Sequence, residues 1–426
     1  VDADFQPPNT NPSPLVHSFK NQNKIFSAAF DVLQQAVTRQ SFPAASIAVT
    51  SKGELIALQS FGSFVFEEDV LSNESKGAPP FSCPSREGGE FDSLSPATLF
   101  DLASLTKPVA TATMAAILYE RGLLELDAPI TGTVPEFKTH ADPRRSQVTF
   151  RMLLAHSSGL PAYEKLFLKA HSREDLLHAT FTMPLTADPA TRTEYSDIGF
   201  IILGVALERL AGETLNTFCQ REIFGPLAMA NTTFNPPPQT RDRIPPTADE
   251  RDPEKCGADT PVRQKSAAQP HPSGSPNNPR STFRNRIIQG KVQDENASVL
   301  GGVAGHAGLF STAEDLARFA HAMLQRGSPV LRPETVALFT RRESSPAGTS
   351  RALGWDTPSS PSQSGKYFGP HSYGHLGYTG TSLWIDPDRQ LSITLLTNRT
   401  WPDCSNQSIK HVRPEFHDAI IEALER

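Results

Sequence analysis

The stretch Asp101-Leu102-Ala103-Ser104-Leu105-Thr106-Lys107-Pro108 decides how this 426-residue chain is read. It contains Ser-x-x-Lys, and Ser104 is the one serine of the chain with a lysine three residues later. Downstream, Met114-Ala115-Ala116-Ile117-Leu118-Tyr119-Glu120-Arg121-Gly122 is an apolar helical pattern closed by glycine. That pattern predicts Ser104 at the N-terminus of a buried helix, with Lys107 one turn on and on the same face. A lysine amine beside a serine hydroxyl can take its proton if burial or a cationic neighbour lowers the lysine pKa. The N–H groups and dipole of a helix start suit a developing oxyanion. The same four residues also fit an N-cap serine followed by a surface lysine, so the rest of the chain must decide.

The totals set the frame. A formal charge of −6 and a pI of about 6.1 give no basic surface for nucleic acid. No apolar run reaches the ~18 residues of a membrane span; the longest candidate, 198–210, is broken by Gly199, Gly204, Glu208 and Arg209. Cys83, Cys219, Cys256 and Cys404 are scattered without metal-site spacing, and Cys219 reads as a buried thiol in a helix. Thirty-seven prolines predict long irregular connections. Residues 1–14 are polar and Pro-rich with no charged-then-apolar leader, so an export signal has been removed or was never there.

Periodicity then gives the elements. Residues 24–40 read as an amphipathic helix, and 46–50 and 54–58 as a hairpin turned by Ser51-Lys52-Gly53. Residues 67–94 are a polar loop. Helices are predicted near 150–155, 173–180, 197–211, 214–223 and 312–326, the last with Thr312 as N-cap. Residues 254–282, poor in apolar side chains, read as a flexible insertion. Strands at 381–385 and 391–396 turn at Asp386-Pro387-Asp388, and the chain ends on a helix over 414–424. This predicts an N-terminal extension, 1–22, and an α/β lobe from 23–122 and 298–426, whose strands from both chain ends form one antiparallel sheet. A helical lobe, 123–297, is set into it.

Two further stretches carry chemistry. Thr193-Glu194-Tyr195-Ser196-Asp197 places Tyr195 in a loop at a helix start, with Ser196 or Asp197 as cap. Near Lys107 such a phenol can act as base towards Ser104 and as acid towards a leaving group; otherwise it is a loop anchor. In His375-Leu376-Gly377-Tyr378 the glycine lets a substrate approach a strand backbone, or marks a tight turn beside an incidental histidine. Gly301-Gly302-Val303-Ala304-Gly305-His306-Ala307-Gly308 lacks dinucleotide-loop spacing and reads as a close-packed turn presenting His306 to a cleft.

Taken in order, Ser-x-x-Lys, Tyr-Ser-Asp and His-x-Gly resemble the serine β-lactamase and penicillin-binding-protein superfamily, in its class C-like branch. Leu153-Leu154-Ala155-His156-Ser157-Ser158-Gly159-Leu160-Pro161 and Gly380-Thr381-Ser382-Leu383-Trp384-Ile385-Asp386-Pro387 are similar to stretches of that family. The run from Gln289 to Ala313 looks like a subgroup that includes muropeptide amidases, with Gln293 where that subgroup usually has histidine. The resemblance implies a β-lactamase/transpeptidase-like fold, an antiparallel sheet flanked by helices with an inserted helical lobe. It implies Ser104 as nucleophile, Lys107 and Tyr195 in proton transfer, and an oxyanion hole from the N–H groups of Ser104 and Tyr378. No metal or cofactor is implied. Asp197, His375, Gly377 and His306 are the expected substrate-binding residues.

The departures bear on substrate. His375 stands where the family has lysine, and a neutral imidazole holds a carboxylate less well. Leu376 removes a hydroxyl, and Asp197 replaces the asparagine of β-lactamases. Dedicated β-lactam hydrolysis is therefore not expected. The reading is a serine hydrolase making an acyl-enzyme at Ser104 and cleaving an amide in peptidoglycan fragments or D-amino-acid peptides. A carboxylesterase with weak β-lactamase activity and a non-catalytic penicillin or ligand sensor are the alternatives. A periplasmic or secreted placement goes with the first. The expected partner is a small-molecule or peptidoglycan-derived substrate, without nucleic acid or membrane span.

Overall fold

The fold is seen in a computed structural model, which describes residues 14–66, 94–139, 141–251, 283–402 and 404–426. The insertion read at 254–282, Cys83, Cys256, and the loop at 67–94 apart from Leu94 lie outside the described residues.

Six strands build one sheet: β1 Val16–His17, β2 Ala44–Ser51, β3 Glu54–Gly62, β4 Tyr373–Leu376, β5 Ser382–Asp386 and β6 Leu391–Thr397. Their spatial order is β1-β3-β2-β6-β5-β4. Strand β2 pairs with β6 from Ala45↔Thr397 to Ser51↔Leu391, so the two ends of the chain meet at the sheet centre, as the flanking helices predict. All neighbours are antiparallel except β1, which runs parallel to β3 and modifies the all-antiparallel expectation at that edge.

Alternation along the strands feeds two cores. Ile47, Val49, Trp384, Ile393 and Leu395 face α1 Ser27–Thr38 and the C-terminal helix, where Phe30, Leu33, Phe416 and Ile420 are buried. Ala48, Leu383, Ile385 and Leu396 face the other way. There they join a larger core with α2 Thr113–Glu120, α3 Asp197–Ala211 and α4 Ala313–Leu324. Thr312 caps α4 as expected, accepting from Asp315 N.

Two of the changed boundaries bear on the site. The C-terminal helix α5 is Ile409–Glu425, starting before Pro414 rather than at it. The proline leaves the Lys410 carbonyl without its helical donor, and Gln363 Nε2 supplies one at 3.0 Å. The helix after Ser104 also starts later. Ala103–Leu105 is a 3₁₀ turn, Lys107–Ala112 a wide π turn, and the regular helix begins at Thr113. Pro108 has no N–H to offer the preceding turn, so the usual ladder opens there.

Candidate active site

Ser104 is held by a clamp of strands rather than by a helix start. Phe100 and Asp101 pair with Ser311 and Phe310. The chain then turns through Ala103, whose φ of 48° is unusual for a residue with a Cβ. The Asp101 carboxylate fixes that turn: Ala103 N donates to one oxygen at 2.8 Å and Gln293 N to the other at 2.7 Å. Burial, partly offset by those two bonds, pushes this carboxyl up to about 6. From the sheet side, Thr379 Oγ1 donates to Asp101 O at 2.7 Å and Thr381 Oγ1 to Leu102 O at 3.0 Å. A Cβ at Gly377 would overlap Thr381 Oγ1 and Leu102 O. The glycine is thus required by the Ser104 turn docking on the strand end.

Lys107 is fully buried, and its three N–H groups are all engaged. They donate to Ser104 Oγ at 2.9 Å, Asp197 Oδ1 at 2.7 Å and His306 O at 3.1 Å. An ammonium can donate to all three of these oxygens. Burial alone would lower its pKa, but the Asp197 carboxylate and then Tyr195 outweigh it and hold the amine above its ordinary value. The condition set for a free-amine base, a lowered lysine pKa, is not met here, because the neighbour is an anion and not a cation.

Tyr195 comes to the same place from the loop before α3. Lys107 Nζ lies 4.8 Å from its ring centroid, and the phenol interacts with both Lys107 and Ser104. Burial pushes the phenol up, Lys107 pulls it down and Asp197 pushes it up again, with a net rise. At rest it is a neutral phenol. Ser196 caps α3, its Oγ accepting from Gly199 N at 3.0 Å, which leaves Asp197 on the first turn facing Lys107. Ser196 N donates to His156 Nδ1 at 3.0 Å, and the His156 ring lies 4.5 Å from that of Tyr195.

The other expected residues line the same cleft, of about 410 Å³, with Ser104, Tyr195 and Asp197. His375 near the end of β4 and the Gly377-Tyr378 segment that follows it form one wall. His375 is buried, and burial followed by Lys107 and Arg351 holds its imidazole well below the usual range. Its Nδ1 meets Leu376 O at 2.8 Å, leaving Nε2 as an acceptor without a partner among the described residues. His306 reaches the cleft too, but its carbonyl binds Lys107 and its Nε2 binds Asp294 Oδ1 at 2.9 Å. The Gly301–Gly308 turn packs closely, as expected: a Cβ on Gly305 would overlap Phe200 O and crowd Gly204 on α3.

The Beta-lactamase family description matches residues 29–412, about nine-tenths of the chain, and the span includes every residue placed above. The chain belongs to the beta-lactamase family. N-acetylmuramyl-L-alanine amidase of Bacillus subtilis is 30% identical to it over 382 residues, 84% of this chain and 77% of that one. A Salmonella agona protein provisionally named D-alanyl-D-alanine carboxypeptidase is 30% identical over 338 residues, 73% of this chain and 72% of that one. The solved structure of EstCE1, a hydrolase with promiscuous acyltransferase activity, superposes over 95% of this chain and 100% of that one with a TM-score of 0.66 at 20% identity. At that identity the likeness bears on the fold alone. The chain is thus a serine hydrolase of the beta-lactamase family.

Three residues at or behind the cleft of this family member had no assigned role in the sequence reading. His156 lies in a motif that was recognised but given no partner; it positions Tyr195 and Ser196. Arg351 stacks 5.2 Å from the Tyr195 ring centroid. Arg413, buried on α5, donates to Gln363 Oε1 at 3.1 Å and Thr381 O at 3.3 Å, while its Nε has no acceptor among the described residues. Burial, then Arg399, pushes it down to about 9. Arg413 opens the stretch Arg413-Pro414-Glu415-Phe416-His417-Asp418, which resembles the amidase-containing subgroup without marking a role, and Arg351 lies in no such stretch. Among the described residues no cluster of three or more His, Cys, Asp or Glu could hold a metal ion, and no helix is long and apolar enough to cross a membrane.

Proposed function

We propose that this hydrolase cleaves an amide in peptidoglycan fragments through an acyl-enzyme at Ser104. The observation that carries this reading is the 2.9 Å contact of Lys107 Nζ with Ser104 Oγ on the wall of an open cleft. The amidase relative, similar over most of both chains, supports an amide bond beside a muramyl lactyl group. Arg413 supports an anionic substrate, since cell-wall peptides carry carboxylates and a buried guanidinium favours one.

In this reading Ser104 Oγ attacks the carbonyl carbon, and the backbone N–H groups of Ser104 and Tyr378 receive the oxyanion. Lys107 and Tyr195 carry the serine proton to the leaving nitrogen. Water then resolves the acyl-enzyme. β-Lactams are poor substrates because His375 is uncharged and Leu376 offers no hydroxyl. Such a substrate supports a place outside the cytoplasm, periplasmic or secreted.

The test is mass spectrometry of defined muropeptides incubated with the protein. Separation of the muramyl lactyl group from L-alanine is the expected product. Release of a terminal D-alanine would move the assignment to a carboxypeptidase. Turnover of neither, with turnover of simple esters, would replace the amidase by an esterase.

A further inference from the structure

Resting on the reading of Ser104 as nucleophile, we propose that Asp197 is the acceptor of the serine proton, reached through Lys107. The geometry leaves little choice among the groups in contact with Ser104. Lys107 Nζ lies within hydrogen-bonding reach of Ser104 Oγ, Asp197 Oδ1 and His306 O, and as the ammonium that its ion pair with Asp197 favours it has no lone pair to offer. Tyr195 is held as a phenol. The one anion touching this group is the Asp197 carboxylate, 2.7 Å from Lys107 Nζ, with 14% of its side chain exposed to the cleft. The other carboxylates lining that cleft are Glu194, Asp294 and Asp356, the last paired with Arg351 at 3.5 Å. Glu194 is paired with Arg192 and Asp294 with His306. A carboxylate can hold a proton; the asparagine more usual at this position cannot.

The steps balance as follows. Substrate entry expels water from the cleft, and an ion pair loses more by this than its neutral counterpart. Lys107 gives one proton to Asp197 Oδ1, and the neutral amine turns about its Cε–Nζ bond. Ser104 Oγ bonds to the carbonyl carbon as its proton passes to the Lys107 lone pair, and the carbonyl oxygen becomes the oxyanion. On collapse the C–N bond breaks and the leaving nitrogen takes the Tyr195 proton. Tyr195 recovers a proton from Lys107, and Lys107 recovers the one stored on Asp197. The net transfer is from Ser104 to the leaving amine, and all three residues return to their starting states.

The test is the rate of Ser104 labelling by a fluorophosphonate and of amide cleavage, each against pH, in wild type, Asp197→Asn and Asp197→Ala. Asparagine keeps an oxygen for Lys107 but stores no proton. Asp197→Asn should lose ~10²-fold or more in both rates at every pH, the scale of a lost general acid–base function. Formate should restore part of the rate to Asp197→Ala. If Asp197→Asn labels within threefold of wild type, or regains the full rate at high pH, Lys107 is itself the base and the relay is wrong. If wild type itself is not labelled at Ser104, the nucleophile assignment fails instead. Should both variants fail to fold, infrared spectra of the wild-type boronate adduct decide. A protonated-carboxyl band appearing on adduct formation supports the relay, and its absence overturns it.

Discussion

At the scale of single residues, the site is a proton inventory. Ser104, Lys107, Tyr195 and Asp197 meet within hydrogen-bonding reach, and the Lys107–Asp197 ion pair sets the protonation of the group. Lys107→Ala leaves Asp197 without its cation, and Tyr195→Phe removes the donor to the leaving group. Each should cost ~10²-fold or more in kcat, and the double variant should lose less than the product because the residues act as one unit. Steady-state kinetics on the three proteins checks this. Ser104, Lys107 and Tyr195 were legible in sequence because short motifs carry them. The charge state of Lys107 was not, since Asp197 lies 90 residues away and was expected to bind substrate. His156 was legible as a motif but mute as a role, because its partner is a backbone N–H that no sequence pattern marks.

At the scale of elements, the 3₁₀ turn of Ser104 is held in an uncommon conformation by one buried carboxylate. Asp101 titrates near 6 rather than at its ordinary 3.8, chiefly because burial penalises its charge. A folded-state pKa above the unfolded one makes a contribution to stability that is full below the unfolded value and is lost as pH rises through 6. The difference amounts to roughly 3 kcal/mol. Unfolding free energies of wild type minus Asp101→Asn should therefore fall as pH rises from 4 to 7. Activity should run the opposite way, dropping below pH 6 as the carboxylate that accepts from Ala103 and Gln293 is neutralised. A flat difference in stability over that range would remove Asp101 from this role. The apolar periodicity after Ser104 was readable, but the late start of α2 was not, because Pro108 opens the ladder and the tertiary clamp holds the turn.

At the scale of the whole molecule, the sheet brings the two chain ends together, and the cleft gathers residues from 103 to 413. The helices flanking each set of strands made the central pairing predictable, whereas the parallel edge strand β1 is two residues long and carries no periodicity. Only the closed sheet and α5 bring Arg413 to the cleft. In the proposed reading it supplies a cation to the cleft that neutral His375 does not. Arg413→Ala should raise KM for an anionic muropeptide about 10-fold or more, the scale of a lost charge-assisted hydrogen bond. It should leave kcat and KM for a neutral ester nearly unchanged. Equal loss on both substrates would make Arg413 a structural residue.

The account turns on Ser104 as an activated nucleophile, and intact-protein mass after incubation with a fluorophosphonate tests that most directly. Wild type is predicted to gain one adduct, with the label on Ser104 in the peptide map. Ser104→Ala is predicted to gain none and to retain at most the residual ~10³-fold catalysis of an oxyanion hole and binding. An unlabelled wild type, or a Ser104→Ala variant that still labels and turns over substrate, would contradict the account.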